Sequence, residues 1–490
     1  MFKLEGFKIW CRANHLIKIE SGGKIMKKIK LLSMLVVLTT AVSMLAACSN
    51  DKNADEGKSA ETITVNFWSA PEQYNYDLWN TYAEKFNNAN IELEGSKIVV
   101  EVQQMPTQPS SEAGIQNAIA TSTVPTISEN INRSFAATLA SSEAVYDLSK
   151  EKWFSEIIEE RKIKDVINGW TINDGEQYVI PLYVNPITYI WNSKALRELG
   201  ATEVPQTLDD FYTLLGAFEE NQESLNELGI THFMYGNNLL KPEAWWERWF
   251  DFEAQYNAFS QGKSFVEGNK LTLDKEAATK VFDFYGALGS SLLTGEIPQI
   301  WQQETVPVIM GVGAPWEIQP NKAAGKVYGM DGDYVYGPTL VEKDGDTHYN
   351  FADSKGLVLY KNKNISEKEH QGAIEFLKYV FTGAAKDTID LDWLNATSML
   401  PVRGDLQTNE IFKNYFGNNP ELSDVSGFVA DGIPCMANEK MAEILTALAE
   451  KGLTPFITEK VVKSKINENP ESDEYVNAAF EAMKAVGGLE

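Results

Sequence analysis

Asp174–Leu196 reads D-G-E-Q-Y-V-I-P-L-Y-V-N-P-I-T-Y-I-W-N-S-K-A-L, and strand formers and strand breakers take turns along it. Asp174-Gly175 is a turn. Tyr178–Pro181 is an apolar run that proline closes. Ile187–Trp191 is a second run of β-branched and aromatic residues, and Asn192-Ser193 opens a helix. Tyr, Val and Ile suit a pleated, half-buried surface, whereas Asp-Gly and Pro interrupt one. Downstream, Val204-Pro205-Gln206-Thr207-Leu208-Asp209-Asp210-Phe211 reads as a second helix opening. Thr207 is its N-cap, and Asp209 and Asp210 favour the positive end of the helix dipole.

Working outward, Ile63–Trp68 reads as a first strand and Tyr74–Asn88 as an amphipathic helix with Leu78, Tyr82 and Phe86 in register. Ile98–Met105 is a second strand, Ser111–Ser122 a small-residue helix and Val124–Glu129 a third strand. Beyond the opening stretch come helices at Leu208–Asn221, Trp245–Tyr256 and Leu273–Leu288. V-P-V-I-M-G-V-G-A-P-W at Val306–Trp316 is an apolar strand ending in a turn. Gly356–Tyr360 is a strand, Glu369–Thr382 a helix, and Leu400-Pro401-Val402-Arg403 a short extended element. Strands alternating with helices imply an α/β fold with mostly parallel sheets flanked by helices. In such sheets ligands bind at the carboxyl ends of the strands.

The 490 residues carry a net charge of -26, with 43 basic against 69 acidic side chains. Such a surface opposes nucleic acid and anionic lipid. Cys11, Cys48 and Cys435 lack the spacing of a Cys-rich zinc site, and no intramolecular disulfide is expected. His15, His232, His348 and His370 show no metal-ligand spacing. Asp331-Gly332-Asp333 and Asp344-Gly345-Asp346 lack the other ligands of a calcium loop and read as hairpin turns. The sequence holds no Gly-rich phosphate loop, G-x-S-x-G elbow or H-E-x-x-H. The expectation is therefore no catalytic residue, no metal and no cofactor.

Met26–Ala47 has the layout of a secretory signal: Lys27, Lys28 and Lys30, then the apolar run Leu31–Leu45, too short for a comfortable span. Leu45-Ala46-Ala47-Cys48 resembles the lipobox of bacterial lipoproteins. That resemblance implies a diacylglycerol on Cys48, which becomes the mature N-terminus. Residues 1–25 then precede the true start, 26–47 are the signal peptide and 48–61 a polar tether.

The central stretch, with Gly175, Tyr178, Pro181, Trp191-Asn192 and Pro205-Gln206-Thr207, resembles the extracellular solute-binding proteins of ABC sugar importers. That family includes maltose-binding protein. Trp191 stands where the family usually has Tyr, and Thr126 where Asp is frequent. The resemblance implies a type II periplasmic-binding-protein-like fold of two discontinuous lobes joined by a hinge. Residues 62–182 plus 340–389 would form lobe one, and 183–339 plus 390–490 lobe two. The crossings would fall at Pro181–Ile187, Tyr336–Thr339 and Asp390–Trp393. It further implies a monomeric, non-enzymatic receptor on the extracytoplasmic face of a bacterial membrane. Its partners would be a carbohydrate ligand, the permease transmembrane subunits and, through lipid on Cys48, the membrane.

A sugar presents hydroxyls around its ring and C–H groups on its faces. Aromatic rings cover the faces, and amides or carboxylates take the hydroxyls. Trp316 holds the position of a sugar-stacking Trp in the family, against a role in the lobe-two core. Trp68, Glu72 and Tyr74 flank the end of the first strand, and Glu129, Asn130 and Asn132 follow the third. Asn185 stands where the family uses an acidic ligand-binding residue. Trp246 is the member of a core-facing group with Trp245 and Trp249 that turns toward the cleft. Trp393 lies at the third crossing. Arg403 is a ligand clamp or a structural ion-pair former. Two other classes compete: a glycoside hydrolase using a carboxylate pair such as Glu243 and Glu247, and a receptor or sensor for a polyamine, peptide or metal. A cationic cargo would require several carboxylates in the cleft.

Overall fold

The computed structural model describes residues 62–490, except 109, 165, 173 and 174. The signal peptide, Cys48, the tether and Asp174 of the expected turn lie outside the described residues. The described residues belong to one compact unit.

The first strands are β1 (Thr62–Ser69), β2 (Ser96–Gln104) and β3 (Ile127–Asn132), linked by helices Gln73–Asn88 and Ser111–Thr121. Along β1, Ile63, Val65 and Phe67 turn inward and their neighbours outward, the period-two pattern of a strand with one buried face. The main sheet continues through β4 (Ile180–Asn192), β5 (His232–Gly236), β6 (Leu292–Thr294), β7 (Val308–Gly313), β8 (Tyr334–Gly337) and β9 (Asn350–Leu359). Their spatial order is β2-β1-β3-β9-β4-β7-β5-β6, with β8 also on β4. β1 is parallel to β2 and β3, and β5 is parallel to β6 and β7. The central pairings of β9 and β4 are antiparallel. Each end of the sheet is thus the parallel, helix-flanked unit that the alternation implied, and β4 and β9 run between the two.

β4 corrects the reading of the opening stretch. Neither Pro181 nor Pro186 ends it; one strand runs from Ile180 to Asn192. Proline removes a ladder donor. The ladder adapts at Pro181, which faces Gly356 where the β9 register shifts. A Cβ at Gly356 would lie 2.1 Å from the Ile180 carbonyl oxygen, so only glycine allows this approach. At the far end Asn192 accepts from Ala195 N at 3.2 Å and caps Ser193–Glu198. Thr207 caps Leu208–Glu220 as expected, and Asp210 reaches back to complete a capping box. The Trp245–Tyr256 segment is not a regular helix. A 3₁₀ turn at Trp245–Glu247 leads into a π-helical turn at Trp249–Glu253, then α-helix from Ala254.

Two main apolar cores occupy the two ends. One gathers Ile63, Phe67, Trp79, Phe86, Leu357 and Phe376; the other Ile187, Trp191, Phe211, Phe233, Phe282 and Met310. Along β4 the allegiance changes between Tyr183 and Ile187. Along β9 it changes between Phe351 and Leu357, so the chain returns to the first core later than residue 340. Farther on, Ile389, Trp393 and Val402 still pack on the first core, while Ile444, Val476 and Met483 join the second.

A buried ion-pair network pins this third passage. Arg161, 1% exposed, donates to both Asp390 oxygens at 3.0 and 3.3 Å and to the Val402 carbonyl at 3.0 Å. Arg403 donates to Asp390 at 3.0 Å and to Asp405 at 2.7 Å, so it is an ion-pair former and not a ligand clamp. Burial raises the Asp405 carboxyl, but hydrogen bonds from Arg403 and Asn409 outweigh it and hold the group at about 2.

Candidate functional site

Strand ends from both cores meet around a groove of three adjoining cavities, about 520, 330 and 270 Å³. β1 and β3 deliver Glu72, Tyr74, Asn130 and Asn132 from one side. β7 and the irregular helix deliver Trp316, Trp246 and Phe250 from the other. The groove lies at the carboxyl ends of the parallel strands, where an α/β sheet places ligands.

Six of the ten expected ligand residues line it: Glu72, Tyr74, Asn130, Asn132, Trp246 and Trp316. Trp316 follows the Ala314-Pro315 turn, packs partly on both cores and meets the Phe250 ring edge-on at 5.8 Å. Trp246 is 36% exposed, and Trp249, which stacks on Phe351 at 5.7 Å, lines the same cavity. Asn130 has φ 67°, a left-handed conformation in the middle of β3. Asn tolerates this better than most residues, and such outliers concentrate at functional sites. Its amide donates to the Met105 sulfur at 3.7 Å. Asn132 also accepts from Phe135 N at 2.7 Å and so caps the next helix.

The other four do not line these cavities. Trp68 packs partly buried against the first core. Glu129 is fully buried and accepts from Ala70 N, from Asn75 Nδ2 at 2.9 Å and from Trp79 Nε1 at 2.6 Å. It ties the end of β1 to the helix Gln73–Asn88, at whose start Glu72 and Tyr74 sit. Burial pushes its carboxyl up to about 7 against the pull of those three donors. Asn185 is buried and accepts from Leu400 N at 3.3 Å. Trp393 is wholly buried, stacked on Tyr183 at 5.5 Å and near Trp79 at 6.5 Å. It backs Tyr183, which does face the groove. Glu129, Asn185 and Trp393 turn into the interior, whereas Trp68 lies on the half-exposed face of β1 away from these cavities.

Sequence reasoning missed Tyr235, Phe250, Trp301, Glu317 and the Asp353–Lys355 pair, all on the groove wall. Glu317 follows Trp316 directly, which was the available signal. Asp353 and Lys355 sit on β9 two residues apart, on one face of the strand. Of the hydrolase pair, Glu247 lines the largest cavity while Glu243 is exposed and lies off it. Among the described residues no group of three or more His, Cys, Asp or Glu could hold a metal ion, and no helix is long and apolar enough to cross a membrane.

The chain resembles several known proteins. A solved structure of an uncharacterised protein, lmo0859 of Listeria monocytogenes EGD-e, is 31% identical, with a TM-score of 0.68 over 87% of this chain and 99% of that one. The cyclic alpha-maltosyl-1,6-maltose binding protein of Arthrobacter globiformis shares the fold at 15% identity and a TM-score of 0.64, over 87% of this chain and 99% of that one. The diacetylchitobiose binding protein DasA of Streptomyces coelicolor is 27% identical over 207 residues, 40% of this chain; the match spans 44% of that curated relative's length. The model of the family described as bacterial extracellular solute-binding protein matches residues 81–420. With that match over most of its length, the chain belongs to the bacterial extracellular solute-binding protein family.

Proposed function

We propose that this protein is a lipid-anchored receptor that captures an oligosaccharide in the groove and delivers it to an ABC permease, with no catalytic step. The observation that carries the reading is the Trp316 ring, set between the two cores in a groove with Glu72 and Asn130 on its walls. A flat aromatic face with polar groups around it matches the two-sided chemistry of a pyranose. Relatives named for diacetylchitobiose and maltosyl-maltose binding support a carbohydrate. Cys48 would hold the lipid and residues 49–61 the tether. The two ends of the sheet would act as lobes, closing on ligand about β4, β9 and the Ile389–Val402 segment. Only the closed form would engage the permease, which requires the ligand to bind that form more tightly. The pair Glu243 and Glu247 gives the hydrolase reading no support, because Glu243 is off the groove.

Melting the protein against a panel of di- and oligosaccharides tests this. A ligand that binds only the folded state adds about 2.7 kcal/mol of stability at a hundred times its Kd. At least one oligosaccharide is expected to raise the melting temperature and be recovered uncleaved. A panel that shifts nothing, or a shifting sugar that is cleaved, contradicts the proposal.

A further inference from the structure

The wall of the largest cavity carries Glu247, Asp251, Glu296 and Glu317 and, among the described residues, no Lys or Arg. Asp251 is neutralised by Arg248 at 2.6 and 2.9 Å, and Glu296 by Lys241 at 3.0 Å. Glu247 is held by Asn238 Nδ2, which donates at 3.0 Å, and by a hydrogen bond from the Trp246 side chain; Gln302 Nε2 donates to Glu317 at 3.2 Å. Burial pushes Glu247 up to about 7, with Asn238 and Arg248 opposing and the Asp251 charge adding to it; burial raises Glu317 as well. The acid excess continues into the adjoining cavities. Asp353 is 4% exposed on their wall, and its nearest cation is Lys355 Nζ at 3.9 Å. On the wall of the same cavity Glu112 is pushed by burial up to about 7, with the Lys355 charge opposing.

A buried carboxylate without a counter-charge carries a desolvation cost that a hydroxyl donor offsets only in part. A cation offsets far more of it, and the Trp316, Tyr235, Phe250 and Trp301 rings around the same cavity also attract one. We propose that the carbohydrate of this groove is an amino sugar, whose free ammonium group sits in the largest cavity against Glu247 and Glu317 while its ring covers Trp316. This rests on the carbohydrate reading and names the class of sugar within it.

Calorimetric titration with the unacetylated glucosamine trimer, its N-acetylated counterpart, maltotriose and spermidine tests it, under conditions where the amine is protonated. The unacetylated trimer is expected to bind at least about tenfold more tightly than either neutral trimer, the size of one close charge pair across an interface. Glu247→Gln and Glu317→Gln, each checked for folding by melting, should collapse that preference. Glu253→Gln, a buried acid away from the cavity, should keep it. A parent that binds a neutral trimer as tightly overturns the amino-sugar inference and leaves the carbohydrate reading standing. A preference that survives both Gln substitutions also overturns it. Binding of spermidine with no sugar bound overturns the carbohydrate reading, and with it the inference; so does a parent that binds none of the four.

Discussion

Trp316→Ala is expected to weaken oligosaccharide binding by about thirtyfold or more, the usual cost of at least ~2 kcal/mol for truncating a hot-spot aromatic. The ring stands on the groove wall in two of the three cavities and touches the margins of both cores. Its removal takes away the face on which a pyranose stacks and admits water to the contacts of Asn130 and Glu72. Because the ring is only partly buried, the stability loss should stay well below the ~3–5 kcal/mol of a fully buried aromatic. Titration and melting of the same variant separate these effects. Unchanged affinity in a folded variant removes Trp316 from the site, and a loss of stability at the full core value returns it to the interior.

Asp390→Asn is expected to destabilise the protein by about 3–5 kcal/mol, the cost of breaking a buried pair by removing one partner. Asp390 is the shared acceptor of Arg161 and Arg403, and Arg161 is 1% exposed. The substitution leaves the Arg161 guanidinium buried with an amide in place of its counter-charge, and Arg403 with Asp405 alone. Urea unfolding monitored by circular dichroism measures this. A loss below about 1 kcal/mol would mean the network behaves like a solvated surface pair.

The pattern of the chain made the fold legible wherever one face of an element is buried. Ile63, Val65 and Phe67 alternate, and Leu78, Tyr82 and Phe86 recur at helical spacing; β1 and the helix Gln73–Asn88 follow directly. It failed at Pro181 and Pro186, because whether a strand tolerates proline depends on its partner. Here the partner supplies Gly356 and a register shift, from a distant part of the chain. The irregular Trp245–Phe259 helix was equally hidden, since nothing local separates a π turn from an α turn there.

In the site the same division holds. Trp316 was legible because the Ala314-Pro315 turn ends an apolar strand and restricts where the next ring can go. Glu129 and Trp393 were misplaced because their partners, Ala70 and Trp79 for one and Tyr183 for the other, come together only in three dimensions. That Glu247 and Glu317 share a cavity wall was out of reach for a related reason. Which acids stand without an ion-pair partner depends on which acids Arg248 and Lys241 have already taken.

The most direct test of the central claim is a crystal structure of the protein with the oligosaccharide that raises its melting temperature most. The account predicts one sugar face on the Trp316 ring and hydroxyls within hydrogen-bonding distance of Asn130 or Glu72. A ligand seated outside the groove, or inside it with Trp316 untouched, would contradict it.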